Sequence, residues 1–184
     1  MAVPARSQLA VLVLISASCL GADPSVDPPP VSKLTAARAV LEKAHEWDLL
    51  SLDPRDQKTK PKDGFHGWPV LGKLTVKDAG TRARLIAALD KGIAEAEAKA
   101  KKEADMGRVS AHGCFQPRHG IRATHGGKTA EFLICFECTP IYVYFEGEKQ
   151  EIHFTTDSPQ DIFDGVLKEA KVPLGPRVFK KKKE

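Results

Sequence analysis

Apolar residues recur along this chain with two periods, one typical of helices and one typical of strands. Three segments carry helical spacing, and each follows a residue suited to cap a helix N-terminus. The first is predicted to begin at Ser32 or Thr35 and to end near Leu50, with apolar positions Leu34, Ala37, Leu41, Ala44 and Trp47. The second follows Asp78, and its apolar face comprises Leu85, Ile86, Leu89 and Ile93.

The third helix is predicted to open at Ser158-Pro159 and to stop before Pro173. Proline suits the first helical position, because its missing N–H would be unpaired there in any case. Its predicted buried positions are Ile162, Phe163, Val166, Leu167 and Ala170. The second half of the preceding helix, residues 94–104, has strong helix formers but no apolar stripe, so we expect it to project into solvent.

Between the second and third helices the period changes to that of strands. Short runs rich in β-branched and aromatic residues are separated by turn-forming residues, which predicts an antiparallel meander. The predicted strands are His119–His125, Lys128–Phe136, Ile141–Phe145 and Glu151–Thr155. The pair Gly126-Gly127 suits a two-residue hairpin turn, which would place Thr124 opposite Thr129 and Arg122 opposite Glu131. Residues 65–76 also regain apolar character, and part of this segment is predicted to form a strand or to pack under the core.

The first 22 residues have the pattern of a secretory signal peptide. Arg6 precedes an apolar run, and small residues follow it, as in leaders that are removed on export. Cleavage near Gly21 or Ala22 is favoured, and acylation of Cys19, which would give a lipid-anchored protein, is the alternative. We therefore expect a periplasmic or extracellular protein. No later apolar run exceeds five residues, so the mature chain is predicted to lack a transmembrane segment.

Length, proline content and charge indicate how the rest of the chain is divided. The length of 184 residues favours one folded domain, predicted over 32–175, after a proline-rich tether at 23–31 and before a basic tail at 176–184. The formal charge of +4 resides mainly in that tail, and the 22 basic and 23 acidic residues between leader and tail nearly cancel. A body without basic excess does not have the electrostatic footprint of a nucleic-acid-binding protein.

Beyond the leader, cysteine occurs only at Cys114, Cys135 and Cys138. Three thiols cannot all pair within one chain, so at least one is free, bound to metal or joined to another molecule. Cys135 and Cys138 would point to opposite faces of a continuous strand, and they converge only if the chain turns near Glu137. Pro117 cannot donate to a strand ladder, so a strand ending there would let Cys114 fold back towards the other two.

Three hypotheses follow for this cysteine cluster. The first is a structural disulfide beside a buried thiol, favoured by an oxidising compartment. The second is a metal site in which His119 joins the cysteines, a ligand set that zinc accepts, and zinc is the only cofactor indicated. The third is redox or nucleophilic chemistry, for which the strand-like surroundings differ from the helix N-terminus of thioredoxin-like sites. Arg118 and Glu137 are the supporting residues. The sequence has no glycine-rich phosphate loop, nucleophile-elbow motif or His-Glu-x-x-His motif.

Three segments carry a resemblance to a known group of proteins: Cys114-Phe-Gln-Pro-Arg-His-Gly-Ile-Arg122, the glycine turn with Lys128-Thr129, and Ile134-Cys-Phe-Glu-Cys138. Together with Phe65-His-Gly-Trp68 and Gly72-Lys73, they resemble an uncharacterised family of exported bacterial proteins over about residues 49–174. The resemblance implies a common fold and a common site, without an assigned reaction.

The sequence as a whole predicts an α+β domain, with an antiparallel meander of about four strands packed by two or three helices. The predicted function is a non-catalytic exported binding or structural module stabilised by the Cys/His cluster. The alternative is a thiol- or metal-dependent enzyme that uses Cys114, Cys135, Cys138 and His119. A polar-lined pocket reaching the sulfurs would favour the enzyme, whereas sulfurs packed under Phe115 and Phe136 would favour the module.

Overall fold

The computed structural model describes residues 31–55, 63–108 and 114–177. The predicted signal peptide with Cys19, the tether through Pro30 and the lysine-rich end of the tail lie outside the described residues. The described ranges belong to one compact unit that begins at Val31.

Within these ranges, three helices pack on a six-stranded antiparallel sheet. The strands are β1 (Trp47–Leu52), β2 (Val70–Val76), β3 (His119–His125), β4 (Lys128–Ile134), β5 (Pro140–Phe145) and β6 (Glu151–Phe154). The helices are α1 (Lys33–Lys43), α2 (Ala79–Asp105) and α3 (Gln160–Glu169). The strand order is β2-β1-β3-β4-β5-β6, so the α+β class is confirmed and the sheet has two strands more than the meander predicted.

The predicted first helix is wrong in its second half. Helix α1 begins as expected, with the Ser32 hydroxyl accepting from the Thr35 N–H at 3.2 Å, but it ends at Lys43. Ala44 is extended and the chain continues into β1, which pairs with β2 on one side and β3 on the other. Trp47 had matched the helical period only because it lies three residues after Ala44. A central strand buried on both faces has no polar face to distinguish it from a buried helix segment.

The predicted meander is confirmed in β3 to β6: the bounds of β3 match, and one end of each other strand differs by one or two residues. The predicted hairpin register is also confirmed: Thr124 lies opposite Thr129, and Arg122 lies opposite Glu131, which accepts from the Arg122 Nε at 2.5 Å. Gly126 and Gly127 have φ values of 57° and 77°, as a type I′ turn requires.

Replacing Gly126 and Gly127 together with valine is expected to destabilise the fold by about 2 to 4 kcal/mol. Each β-branched residue would be held in the left-handed region, at a cost of ~1 to 2 kcal/mol. The free energy of unfolding, measured by urea titration, tests this expectation. Gly165→Ala is the control, because nothing lies within 4 Å of its added methyl group. Equal stability of the two variants would contradict the turn conformation.

The sheet has a hydrophobic core on each face. The larger one lies under the helices and contains Ile121, Phe132 and Phe163, with other residues of β1, β4, β5, α1 and α2. The smaller one, on the opposite face, contains Leu50, Leu52, Phe65 and Leu133 and is covered in part by Trp68, Phe115, Tyr142 and Tyr144. Because side chains pack against both faces of the sheet, most residues of its central strands are buried.

Helix α2 starts at the predicted cap, where the Asp78 carboxylate accepts from the Thr81 N–H at 2.6 Å. Leu85, Leu89 and Ile93 are buried, whereas most residues after Ile93 are exposed or partly exposed, as predicted. Although α2 has 27 residues, no helix in the described part of the chain is both long enough and apolar enough to span a bilayer.

Helix α3 corrects the predicted buried positions. Phe163, Val166 and Leu167 are buried as expected, but Ile162 is 37 % exposed and Ala170 is exposed. Asp164 is buried in their place. The helix presents Gln160, Asp164 and Leu167 towards the sheet because these residues share one helical face.

Candidate functional site

The three cysteines meet where β4 ends. Beyond Ile134 the chain makes a tight turn, in which the Thr139 N–H donates to the Cys135 carbonyl at 2.7 Å. Thr139 has φ of 80°, and the Cys135 N–H donates to the Pro140 carbonyl at 3.1 Å. This is the turn that convergence of Cys135 and Cys138 required. Cys114 precedes β3 and is outside the ladder, so it reaches the same end of the sheet.

The thiol cluster comprises Cys114, Cys135 and Cys138. The Cys138 N–H donates to the Cys135 sulfur at 3.0 Å, and the Cys114 and Cys138 thiols each affect the pKa of the other. All three are free thiols in the structure. Burial raises the pKa of Cys114 and of Cys138 to about 11, and it also raises that of Cys135. The thiols are therefore protonated at neutral pH.

His119 belongs to a different cluster. It faces the helices, and its Nε2 bonds the Asp164 carboxylate of α3 at 3.0 Å. Its ring packs against Phe136 and Phe163, with centroids 5.2 and 5.8 Å away. Both His119 and Asp164 are fully or almost fully buried. The structure thus places His119 in a buried histidine–carboxylate pair.

Arg118 connects this pair to the thiol end of the sheet. It is 6 % exposed, and its Nε donates to the Gly175 carbonyl at 2.8 Å. Its Nη1 lies 3.5 Å from Glu137 and 3.8 Å from Asp164. Arg118 and Glu137 were predicted as supporting residues, and the structure shows that they form an ion pair.

Glu137 also lies near Gln160 and Arg177, and these side chains extend the group formed by Arg118, His119 and Asp164. The Gln160 amide nitrogen lies 3.4 Å from Glu137, and Arg177 lies 3.9 Å from Glu137 and 3.6 Å from Asp164. Arg177 falls within the predicted basic tail, so the contacts that build the site continue into that segment. The ionic cluster, comprising Arg118, His119, Glu137, Gln160, Asp164 and Arg177, is a network rather than a single pair.

Burial and pairing determine the protonation of the two central residues. Burial lowers the pKa of His119 and outweighs the opposing effect of Asp164, so the imidazole is neutral at neutral pH. Burial by itself would raise the pKa of Asp164, but the His119 hydrogen bond and the charges of Arg118 and Arg177 outweigh it and lower that pKa. A neutral His119 donating from Nε2 to an ionised Asp164 is consistent with both shifts.

The predicted Cys3His zinc site requires four donor side chains around one ion. In the portion of the chain that the structure describes, no group of three or more His, Cys, Asp or Glu side chains is arranged to hold a metal ion. His119, the predicted fourth zinc ligand, is engaged by Asp164. The Cys3His arrangement is therefore not formed by these side chains as they stand.

The segment after α3 closes over the end of the sheet at Gly175. Its N–H donates to the Ser51 hydroxyl at 3.1 Å, and its carbonyl accepts from Arg118. A side chain at this position would collide with the Leu52 carbonyl, so only glycine allows this approach. Arg177, two residues further on, is thereby held beside Glu137.

A cavity of about 760 Å³ opens next to the ionic cluster. It lies between the second half of α2 and the sheet edge formed by β6 and the following loop. One wall is made by Ala96, Ala100 and Ala104, which recur every four residues on one helical face. The facing wall includes Phe136, Ile152 and Phe154, and the polar end is formed by Glu137, Gln160 and Arg177. None of the three described cysteines lines this cavity.

Sequence reasoning did not identify Asp164, Gln160, Arg177 or the alanine wall. A signal for Asp164 was present: an acidic residue lies between Phe163 and Val166 on a helix whose neighbouring positions are apolar. Such a residue is buried only when paired, which points to a basic or histidine partner. Arg177 had no comparable signal, because a basic residue near a lysine-rich end is typical of a solvated tail.

Comparison of the chain with protein-family models, curated proteins and solved structures finds no match.

Proposed function

We propose that this protein is an exported, non-catalytic binding module that takes a small amphipathic molecule into the cavity beside the ionic cluster. The observation that carries the proposal is the cavity itself. Its volume of about 760 Å³ lies within the range of ~300 to 1,000 Å³ that is typical of small-molecule sites. The leader sequence supports export to the periplasm or the extracellular space.

The two walls suit the apolar part of such a ligand. Alanine side chains leave room between the backbone of α2 and the opposite wall, where Phe136, Ile152 and Phe154 lie. Ile152 is 51 % exposed and Phe154 is 38 % exposed. Covering these two side chains with an apolar group would remove their surface from water, at ~25 cal/mol per Å².

The polar end suits an uncharged hydrogen-bonding group. Glu137 and Gln160 present an acceptor and an amide towards the cavity, and the buried Arg118–Asp164 pair behind them limits their movement. The described lining has nearly equal numbers of acidic and basic side chains: Glu97, Glu103, Glu137 and Asp157 against Lys99, Arg108 and Arg177. Because neither sign is in clear excess, the cavity favours a neutral molecule over a strongly charged one.

Binding of the uncharged dye N-phenyl-1-naphthylamine tests this proposal. Its fluorescence rises on transfer from water to an apolar site, so a titration gives the dissociation constant directly. We expect saturable binding at one site in the unmodified protein. Ala100→Trp places an indole between the two walls and is expected to weaken binding about tenfold or more, since loss of ~1.4 kcal/mol corresponds to a factor of ten.

Ala98→Trp is the matched control, because Ala98 lies on the same helix, is exposed and does not line the cavity. It is expected to bind the dye as the unmodified protein does. Circular dichroism checks that both variants keep α2. Unsaturable binding, or equal weakening in the two variants, would overturn the proposed function.

A further inference from the structure

The chain reaches the wall of the cavity at Arg177, and its next residues have a composition that matches this cavity. They are Val178 and Phe179, four lysines at 180–183, and Glu184. Arg177 lines the cavity, and consecutive Cα atoms are ~3.8 Å apart, so the Cα of Phe179 lies within ~8 Å of that of Arg177. The Phe179 side chain can therefore reach the cavity.

The path of the chain up to this point is restrained. Gly175 is hydrogen-bonded through both its N–H and its carbonyl. Pro176 has a fixed φ, which limits the directions in which the backbone can continue. The Arg177 Nε lies 3.9 Å from Glu137, and its Nη2 lies 3.6 Å from Asp164. The segment 178–184 therefore starts at the polar end of the cavity.

The cavity presents apolar surface to solvent. Ile152 is 51 % exposed and Phe154 is 38 % exposed, and both lie opposite the alanine wall of α2. Val178 and Phe179 are two successive apolar residues between Arg177 and a run of lysines. An aromatic ring between the two walls would remove its own surface and that of both walls from water.

The charges of the cavity and of the segment are opposite in sign. Apart from Arg177, the described lining carries four carboxylates and only two basic side chains. Two of these carboxylates, Glu97 and Asp157, belong to exposed residues. The four lysines follow Phe179 immediately, so a Phe179 ring in the cavity would bring them close to this acidic excess.

We propose that Val178 and Phe179 occupy the cavity when no ligand is bound, with the Phe179 ring between the alanine wall and the wall formed by Phe136, Ile152 and Phe154. The inference rests on the proposed function, because it assigns a regulatory contact to the same cavity. A group so close to its attachment point has a high effective concentration, so weak contacts are sufficient. A ligand must displace the segment, and its apparent affinity falls with the fraction of molecules whose cavity is open.

Fluorine NMR locates the segment without any ligand. Para-fluorophenylalanine is incorporated at position 179, and its chemical shift is compared with that of the same group in a peptide of residues 176–184. We expect the two shifts to differ. Ala100→Trp, which fills the space between the walls, should return the shift to the peptide value, and the matched control Ala98→Trp should leave it unchanged.

Three results of this measurement would overturn the proposal. The first is a peptide-like shift in the otherwise unmodified protein, which means that residue 179 is in solvent. The second is an equal effect of Ala98→Trp and Ala100→Trp, which means that the contact lies outside the cavity. The third is a return to the peptide value on dilution of the protein, which means that the segment of a second copy occupies the cavity.

Binding of N-phenyl-1-naphthylamine tests the competition. Phe179→Ser is expected to tighten dye binding about threefold or more, as it would if the segment filled the cavity in about two thirds of the molecules. Glu184→Ser is the matched control in the same segment, and it should bind the dye as the unmodified protein does. A smaller change in Phe179→Ser, or an equal change in the two variants, would overturn the competition.

The two measurements distinguish failure of this inference from failure of the proposed function. Saturable dye binding together with a peptide-like shift at position 179 supports the binding module and overturns the regulatory contact. Unsaturable dye binding together with a shift that only Ala100→Trp alters overturns the small-molecule ligand and supports the segment as the occupant of the cavity.

Discussion

Asp164→Ala is expected to lower the free energy of unfolding by about 3 to 5 kcal/mol, the cost typical of removing one partner from a buried ion pair. Asp164 is 2 % exposed and faces His119, Arg118 and Arg177. Without its carboxylate, Arg118 would retain Glu137 and the Gly175 carbonyl, and the His119 Nε2 would lose its hydrogen-bond partner. Denaturation with urea, monitored by circular dichroism, gives the change.

Asp161→Ala is the control for this prediction. Asp161 lies one turn earlier on α3 and also approaches Arg177, at 3.6 Å, but its side chain is 79 % exposed. Exposed ion pairs contribute little, so the change should stay within about 0.5 kcal/mol. If Asp161→Ala lowers the free energy of unfolding as much as Asp164→Ala does, burial of the ionic cluster does not determine how much the cluster stabilises the fold.

The loss of stability caused by Asp164→Ala is expected to decrease as the pH falls. The pKa of Asp164 in the folded protein lies below its ordinary value of 3.8, so ionisation of this carboxyl favours folding. Its contribution is complete above pH 3.8 and is lost as the pH falls through the lowered folded value. The difference in stability between the unmodified protein and Asp164→Ala should therefore be constant near neutral pH and should shrink in strong acid.

Phe163→Ala is expected to destabilise the protein by about 3 to 5 kcal/mol, through lost burial and the cavity that the ring would leave. Phe163 is fully buried, and its ring packs against those of His119 and Phe136, with centroids 5.8 and 5.1 Å away. Removing the ring takes support from the His119 imidazole and from the Phe136 side chain that lines the proposed binding cavity. The midpoint of urea unfolding measures the loss.

The neighbouring residue provides the comparison for Phe163. Ile162 is 37 % exposed, and Ile162→Ala should change stability by less than about 1 kcal/mol, because little apolar surface is removed from the core. Similar losses in the two variants would mean that α3 packs on the sheet with a different face.

The ionic and thiol clusters are adjacent because their residues lie close together along the chain. Arg118 and His119 follow the segment that carries Cys114, and Glu137 lies between Cys135 and Cys138. Arg118 and Glu137 pair at 3.5 Å across the end of the hairpin.

Local features of the sequence were sufficient for several parts of the fold. The period-2 runs predicted β3 to β6, and Gly126-Gly127 predicted the register of the hairpin, because only glycine adopts two successive positive φ values at low cost. Ser32 and Asp78 predicted where α1 and α2 begin, because a capping side chain acts on N–H groups within three residues. The convergence of the three cysteines was also foreseen as depending on a turn near Glu137.

Long-range packing decided the rest. The position of β1 between β2 and β3 depends on which strand edges meet, and its apolar composition suits a buried helix equally well. The partner of His119 lies 45 residues away on α3, and Arg177 reaches Glu137 only because Gly175 passes close over Leu52. By itself, therefore, the sequence determined the starts of α1 and α2, strands β3 to β6, the hairpin and the cysteine turn, whose causes lie within a few residues. The ionic cluster and the cavity exist only in the tertiary structure, because their parts come from β3, the β4–β5 turn, α2, β6, α3 and the closing segment, which meet only after the sheet has assembled.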